Sequence, residues 1–263
     1  MTEATFASNG AVNTQSDFYH QSIDASIDEP INLAAERLRA VRKTIAGARP
    51  VLPDSTSRKT KLLTAQKIGR DAKPVAQSAV AQYLSGFGLE DRPENYSALR
   101  YHPAVLHEPT RRYYPAMLAP VHDVGGEFVG IHRTYLLPDG SGRAPVDAGE
   151  DRRMLGLCFG SYVQLRPVKG FRLVITKDVE AALVIQQSCP DLPVWAAMTL
   201  GNMKSVVPSE VREIIICPSD DKKTPNVADK ILMDAVREQM SRGLTVLIAQ
   251  PLPGMKLNDM RLR

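Results

Sequence analysis

The stretch RLVITKDVEAAL, Arg172–Leu183, runs from an apolar segment through a Lys–Asp pair into residues with helical spacing. The turn at the carboxyl end of a strand is where α/β proteins gather their chemistry. A metal-dependent enzyme needs a carboxylate at such a place, because Mg²⁺ selects hard oxygen ligands. Lys177 puts an ammonium there and Asp178 follows it. A second feature is a cationic block from Arg37 to Lys73, where eleven Lys and Arg face only Asp54 and Asp71. It follows 36 residues with no Lys or Arg at all. Such a block suggests contact with a polyanion, and equally suits a solvated helix face with a linker.

Other chemistry finds little support. The histidines (His20, His102, His107, His122 and His132) have no zinc spacing with the cysteines. Cys158, Cys189 and Cys217 lie far apart among apolar neighbours, as buried thiols of a reducing cytoplasm do. GGEFVG lacks the Lys and the helix that a phosphate cradle needs. Spacing gives no basis for a Ser-His-Asp arrangement. No apolar run approaches the ~18 residues of a membrane span, and the N-terminus has neither the basic start nor the apolar core of a secretory signal.

The elements that must position these residues fall into three parts of the 263-residue chain, with 43% hydrophobic and 24% charged residues. Residues 1–75 combine a loose polar start, a helical stretch at Pro30–Ala46, a Pro-rich linker and a basic helix at Lys59–Ala72. Residues 76–168 open with a short helix at Ala76–Phe87 and continue as short apolar runs broken by Gly and Pro, a β-rich pattern. Asp123–Glu127 (DVGGE) is the turn of a hairpin. Residues 169–263 alternate apolar strands (RLVITK, PVWAAM, EIIICPS, LTVLIAQ) with helices (VEAALVIQQSC, NVADKILMDAVREQMSRG). That alternation predicts a parallel sheet covered on both faces. On the last helix, Val227, Ile231, Val236 and Met240, with Leu232 and Met233 beside them, form the apolar face. The expected fold class is mixed α+β and α/β.

Residues 170–259 resemble a Toprim domain, the metal-binding fold of bacterial-type primases and topoisomerases. The pieces AVAQYLSGFGL, ALRYHPAVLHEPTRRYYPAML, VHDVGGEFVGIHRTYLLPDGSGRAPV and RRMLG resemble the segment that precedes Toprim in phage- and plasmid-encoded primase-like proteins. The resemblance covers about residues 78–263. It implies a primase-core β-rich subdomain followed by a Toprim-like domain.

The family's first strand ends in a motif like VTEGIETAL; here VITKDVEAAL puts Lys177 on the Glu. The family's Asp-x-Asp pair becomes CPSDDKKT, with Ser219 on the first Asp and Asp220 and Asp221 after it. The tail GKDFNDVL becomes GMKLNDMRL, which puts Lys256 on an acid. Glu180, Asp220 and Asp221 are then the remaining catalytic candidates, with Asp220 and Asp221 the candidate Mg²⁺ ligands. Asp220–Asp221 also suit a plain helix cap. An ammonium a few Å from a divalent cation repels it by several kcal/mol even at an effective dielectric of about 20, so Lys177, Ser219 and Lys256 point to a degenerate site.

The resemblance also implies contact with single-stranded nucleic acid. Its candidates are Arg111, Arg112, His132, Arg133, Arg143, Arg152, Arg153, Lys222 and Lys223, with Tyr113, Tyr114 and Tyr135 as stacking platforms. Three functions are therefore expected in competition. They are a nucleic-acid-binding protein of a mobile element with depleted catalysis, an active Mg²⁺-dependent primase, and a repurposed fold that regulates a replication or other protein partner.

Overall fold

The computed structural model describes residues 55–147, 149–218 and 225–249. Expectations for residues 1–54, for Ser219 to Lys223 and for Lys256 lie outside the described residues.

The expected basic helix is α1, Ser55–Arg70. Its inner side carries Ala65 and Ile68, which pack with Ala72 against a four-stranded antiparallel sheet. The short helix α2, Ala79–Ser85, starts later than its apolar spacing suggests. Ser78 caps it by accepting from the Val80 N–H at 3.2 Å, which fixes the boundary.

The antiparallel sheet is β1 (Arg100–His107), β2 (Arg112–His122), β3 (Phe128–Tyr135) and β4 (Arg152–Gly156), in that order. DVGGE is the β2–β3 turn. Asp123 Oδ1 accepts from Gly125 and Glu127 at 2.9 Å each, and Gly126 takes a φ of 85°. The pleat sends alternate residues to opposite faces. Ala116 and Leu118 face α1, whereas Met117, Ala119 and Val121 face the second half of the chain. Both faces of the sheet's middle are therefore packed, and β3 is almost wholly buried from Gly130 to Tyr135.

The second sheet has the order β5-β7-β6-β8-β9. Its strands are β5 (Val163–Gln164), β6 (Arg172–Thr176), β7 (Val194–Ala196), β8 (Glu213–Cys217) and β9 (Thr245–Ile248). The pairs of β6 with β7, β6 with β8 and β8 with β9 are parallel. The sheet is mixed, not purely parallel as expected, because β5 joins β7 antiparallel. β5 precedes residue 168, so the β-rich stretch supplies an edge of the second sheet.

Helix α3 (Val179–Ser188) packs with Val174, Val194 and Ile215 and with Met117 and Ala119 of the first sheet, forming one core between the sheets. Helix α4 (Pro225–Ser241) covers the opposite face. Its buried line is Ala228, Leu232, Ala235, Val236 and Gln239. The expected face is thus rotated: Val227, Ile231, Met233 and Met240 are 37–59% exposed. The small alanines let the helix lie close on the sheet, and an apolar count that favours large residues misses them. Among the described residues no helix is long and apolar enough to cross a membrane. The architecture is mixed α+β, with one antiparallel and one mixed sheet.

Candidate functional site at the junction of the sheets

β6 delivers Thr176 buried, then Lys177 and Asp178 half-buried, at its carboxyl end. Asp178 stands at the N-cap of α3 with extended backbone. Its side chain makes no cap bond and instead accepts from the Arg152 guanidinium. The Thr176 hydroxyl donates to the Asp178 carbonyl at 2.9 Å. In the first turn of α3, Glu180 turns inward with its side chain 3% exposed.

Glu180 closes a network across the junction. Its Oε1 accepts from the Tyr83 hydroxyl at 2.8 Å and pairs with Arg143 at 3.3 Å. Arg143 also donates from Nε to the Tyr83 oxygen at 2.8 Å and pairs with Asp151 at 3.1 Å. Burial, followed by the Glu180 charge, raises the pKa of the Tyr83 phenol. Burial opposes the Arg143 charge, but Glu180, Tyr83 and Asp151 outweigh it and raise that pKa too. His132 lies on the face of β3 that looks at this network, and burial drives its pKa down to about 4 against the pull of Glu180. It is a neutral imidazole at pH 7, and its buried Nδ1 has no hydrogen-bond partner among the described residues.

A network of this composition holds a helix against a sheet. Glu180 is closed to solvent, and its Oε1 is engaged by Arg143 and Tyr83, whereas its buried Oε2 has no hydrogen-bond partner among the described residues. A divalent cation placed roughly 5 Å from the Arg143 guanidinium would meet a repulsion of roughly 7 kcal/mol at an effective dielectric of 20. Lys177 adds a second cation at the strand end. Among the described residues no group of three or more His, Cys, Asp or Glu could hold a metal ion. The described part of the strand-end site therefore does not fit Mg²⁺, and no step through the metal follows from it.

The nucleic-acid candidates divide by pleat and by partner. Arg152 and Arg153 are adjacent on β4 and point to opposite faces. Arg152 pairs with Asp178, while Arg153 pairs with Glu150 and, at 3.6 Å, with Glu108. Arg133 is 2% exposed, pairs with Glu108 at 2.9 Å and stacks 5.7 Å from the Tyr135 ring centroid. Arg133 and His132 are thus closed to a strand of nucleic acid, because both side chains are buried. Arg143, Arg152 and Arg153 hold acids of their own chain. Tyr135 is fully buried, with its hydroxyl donating to the Leu106 carbonyl at 2.9 Å, so it offers no stacking surface. Tyr114 packs on the same core. Arg111, Arg112 and Tyr113 do reach solvent at the β1–β2 turn, with Tyr113 67% exposed.

The strongest exposed charge lies on α1. The sequence STSRKTKLLTAQKIGR contains no acid. Lys59, Leu63, Lys67 and Arg70 recur at helical spacing and form one stripe on the solvent side, while Lys61, also exposed, lies on the opposite side of the helix. None of these cations pairs with an acid among the described residues. The cationic block from Arg37 to Lys73 announces this face in the sequence. Tyr83 and Asp151 give no such signal, since their role depends on packing between distant segments.

A domain of unknown function, DUF7146, matches residues 59–165. No curated protein matches the chain. The chain is similar in structure to the primase fragment of the bacteriophage T7 primase-helicase protein, at 15% identity over 73% of this chain and 71% of that one, with a TM-score of 0.47. It is also similar to a chain in the structure of bacteriophage T7 lagging-strand DNA polymerase interacting with primase domains of two gp4 subunits. That likeness has 14% identity over 65% of this chain and 79% of that chain, with a TM-score of 0.40.

Proposed function

We propose that this chain is a nucleic-acid-binding protein on a primase-like, Toprim-type frame that binds single strands without metal-dependent phosphoryl transfer. The observation that carries the reading is the division of charge. Glu108, Asp151, Asp178 and Glu180 are occupied by arginines of the same chain, while Lys59, Lys61, Lys67 and Arg70 of the acid-free α1 are exposed to water. Free exposed cations bind phosphates by releasing counterions, whereas paired ones have little left to give. The Toprim resemblance supports the same reading, since Lys177 stands where that family carries its acid. Arg111, Arg112 and Tyr113 offer a second surface of the type that follows a strand, cations beside one aromatic face.

Fluorescence anisotropy of a labelled 20-mer of deoxythymidylate, titrated at several salt concentrations, tests the binding. Lys59→Glu/Lys67→Glu/Arg70→Glu should weaken it at least tenfold. A flat wild-type titration at low salt would overturn the proposal. A primer-synthesis assay on single-stranded DNA with Mg²⁺ tests the second half. Synthesis that is abolished by Asp221→Ala would show an active enzyme and refute the depleted site.

A further inference from the structure

A cavity of about 700 Å³ opens between the second half of α1 and the face of the antiparallel sheet turned away from the second sheet. Its size is within the ~300–1,000 Å³ range of small-molecule sites. Two guanidiniums, Arg70 and Arg100, line it, and no carboxylate does among the described residues. Arg70 is exposed and without a partner among the described residues. Arg100 spends one nitrogen on the Ser97 and Leu99 carbonyls and keeps its other donors.

The floor is apolar, formed by Leu118, Pro120 and Ile131. At one side Phe128 and His122 stand edge to face, with ring centroids 6.1 Å apart and planes 76° apart. Burial lowers the His122 pKa against the pull of Asp123, so the ring is a neutral partner for a flat ligand. Two amides complete the lining, Gln66 and Gln164. The Gln164 Nε2 donates to the Asp123 carbonyl at 2.7 Å, which leaves its oxygen to accept. Gly69 borders the space, and a Cβ built there would meet nothing within 4 Å.

We propose that this cavity binds a nucleotide, with the base between the aromatic corner and the amides and the phosphate on Arg70 and Arg100. A ring edge and a ring face at right angles take a planar heteroaromatic group. Amide oxygens and N–H groups match the donor and acceptor edge of a base. Paired guanidiniums with no competing acid match a phosphate by two-pronged hydrogen bonding. A purely apolar ligand would leave the arginines and amides unpaired, and inorganic phosphate would leave the apolar floor and the aromatic corner uncovered. The nucleotide has two possible sources, a free nucleoside phosphate or one unit of a bound strand. The cavity stands apart from the strand-binding stripe of α1, with which it shares Arg70 but neither Lys59 nor Lys67.

The test uses the full chain and a fluorescent N-methylanthraniloyl derivative of ATP, with unlabelled AMP, adenosine and inorganic phosphate as competitors. Two variants accompany the wild type. Arg70→Glu removes a phosphate ligand and should weaken binding by about tenfold or more. Gly69→Phe fills the cavity from a helical position with open space and should abolish binding, while its thermal unfolding midpoint stays near the wild-type value. AMP should compete at least tenfold better than adenosine or phosphate.

Displacement by a 12-mer of deoxythymidylate, together with weaker 12-mer binding in Gly69→Phe, assigns the site to a nucleotide of a strand. Nucleotide binding that the 12-mer leaves untouched assigns it to a free nucleotide. Lys59→Glu/Lys67→Glu should spare nucleotide binding in either case, which separates this site from the strand-binding face. Binding unchanged in both cavity variants, or no saturable binding of nucleotide or 12-mer, overturns the inference.

Discussion

Replacing Arg143 by Ala is the sharpest perturbation of the junction. The Glu180 side chain, 3% exposed, is deprived of the cation 3.3 Å away, and Tyr83 and Asp151 are deprived of their donor as well. Breaking a buried pair from one side costs about 3–5 kcal/mol, because it strands a charge out of water. The Arg143 side chain is 33% exposed, so water reaches the vacated space, and the low end, about 3 kcal/mol, is expected. For a unit of this size that corresponds to a fall in Tm of about 6–12 °C. Urea unfolding followed by far-ultraviolet circular dichroism measures it. Adding Glu180→Gln to Arg143→Ala removes the stranded charge, so the double variant should be more stable than Arg143→Ala alone by at least about 1 kcal/mol. A destabilisation below about 0.5 kcal/mol for Arg143→Ala, with no recovery in the double variant, would refute the view that Glu180 is a structural partner of Arg143.

Three further outcomes are expected. Reversing Lys59, Lys67 and Arg70 should lower the slope of log affinity against log salt by about 2 for single strands, at about 0.7 for each phosphate no longer neutralised, as read by anisotropy. Acidification should destabilise the fold through His132, whose folded pKa of about 4 is below its ordinary value of 6.5. The unfolded chain holds the extra proton between those values, so stability is complete above pH 6.5 and falls by about 1.4 kcal/mol per pH unit below it, down to the folded pKa; urea midpoints at pH 7 and pH 5 should lie closer together in His132→Gln. Gly130→Ala should destabilise by about 2 kcal/mol or more, since its Cβ would be 2.4 Å from the Leu155 carbonyl oxygen and 2.7 Å from Cys158 Sγ, and the thermal midpoint reports it.

The local features of this fold are plain in the sequence. The short apolar runs on either side of DVGGE become the β2–β3 hairpin, and the unbroken apolar strands followed by helical spacing become the β6–α3 and β8–α4 units. Long-range features are not. β5 is two residues long, too short to carry a pattern. The buried line of α4 runs through Ala228 and Ala235, which no hydrophobic count favours over Ile231 or Met233. Arg133, Arg143, Arg152 and Arg153 read as a basic surface in the sequence because most of their acids are distant along the chain. Arg152 meets Asp178 at a separation of 26 residues and Arg143 meets Glu180 at 37. Lys177 is legible as a departure from the Toprim pattern, whereas the capture of Glu180 by Tyr83, 97 residues away, depends on the packing of two sheets.

On the proposed function, strand binding is a matter of free cations and needs no metal. The decisive measurement is anisotropy of the labelled 20-mer in EDTA at low salt, repeated with Mg²⁺ at the same ionic strength. Saturable, salt-sensitive binding in both buffers is expected, with an affinity in Mg²⁺ no higher than in EDTA, because Mg²⁺ competes for the phosphates. Binding only in the presence of Mg²⁺, or in neither buffer, would contradict it.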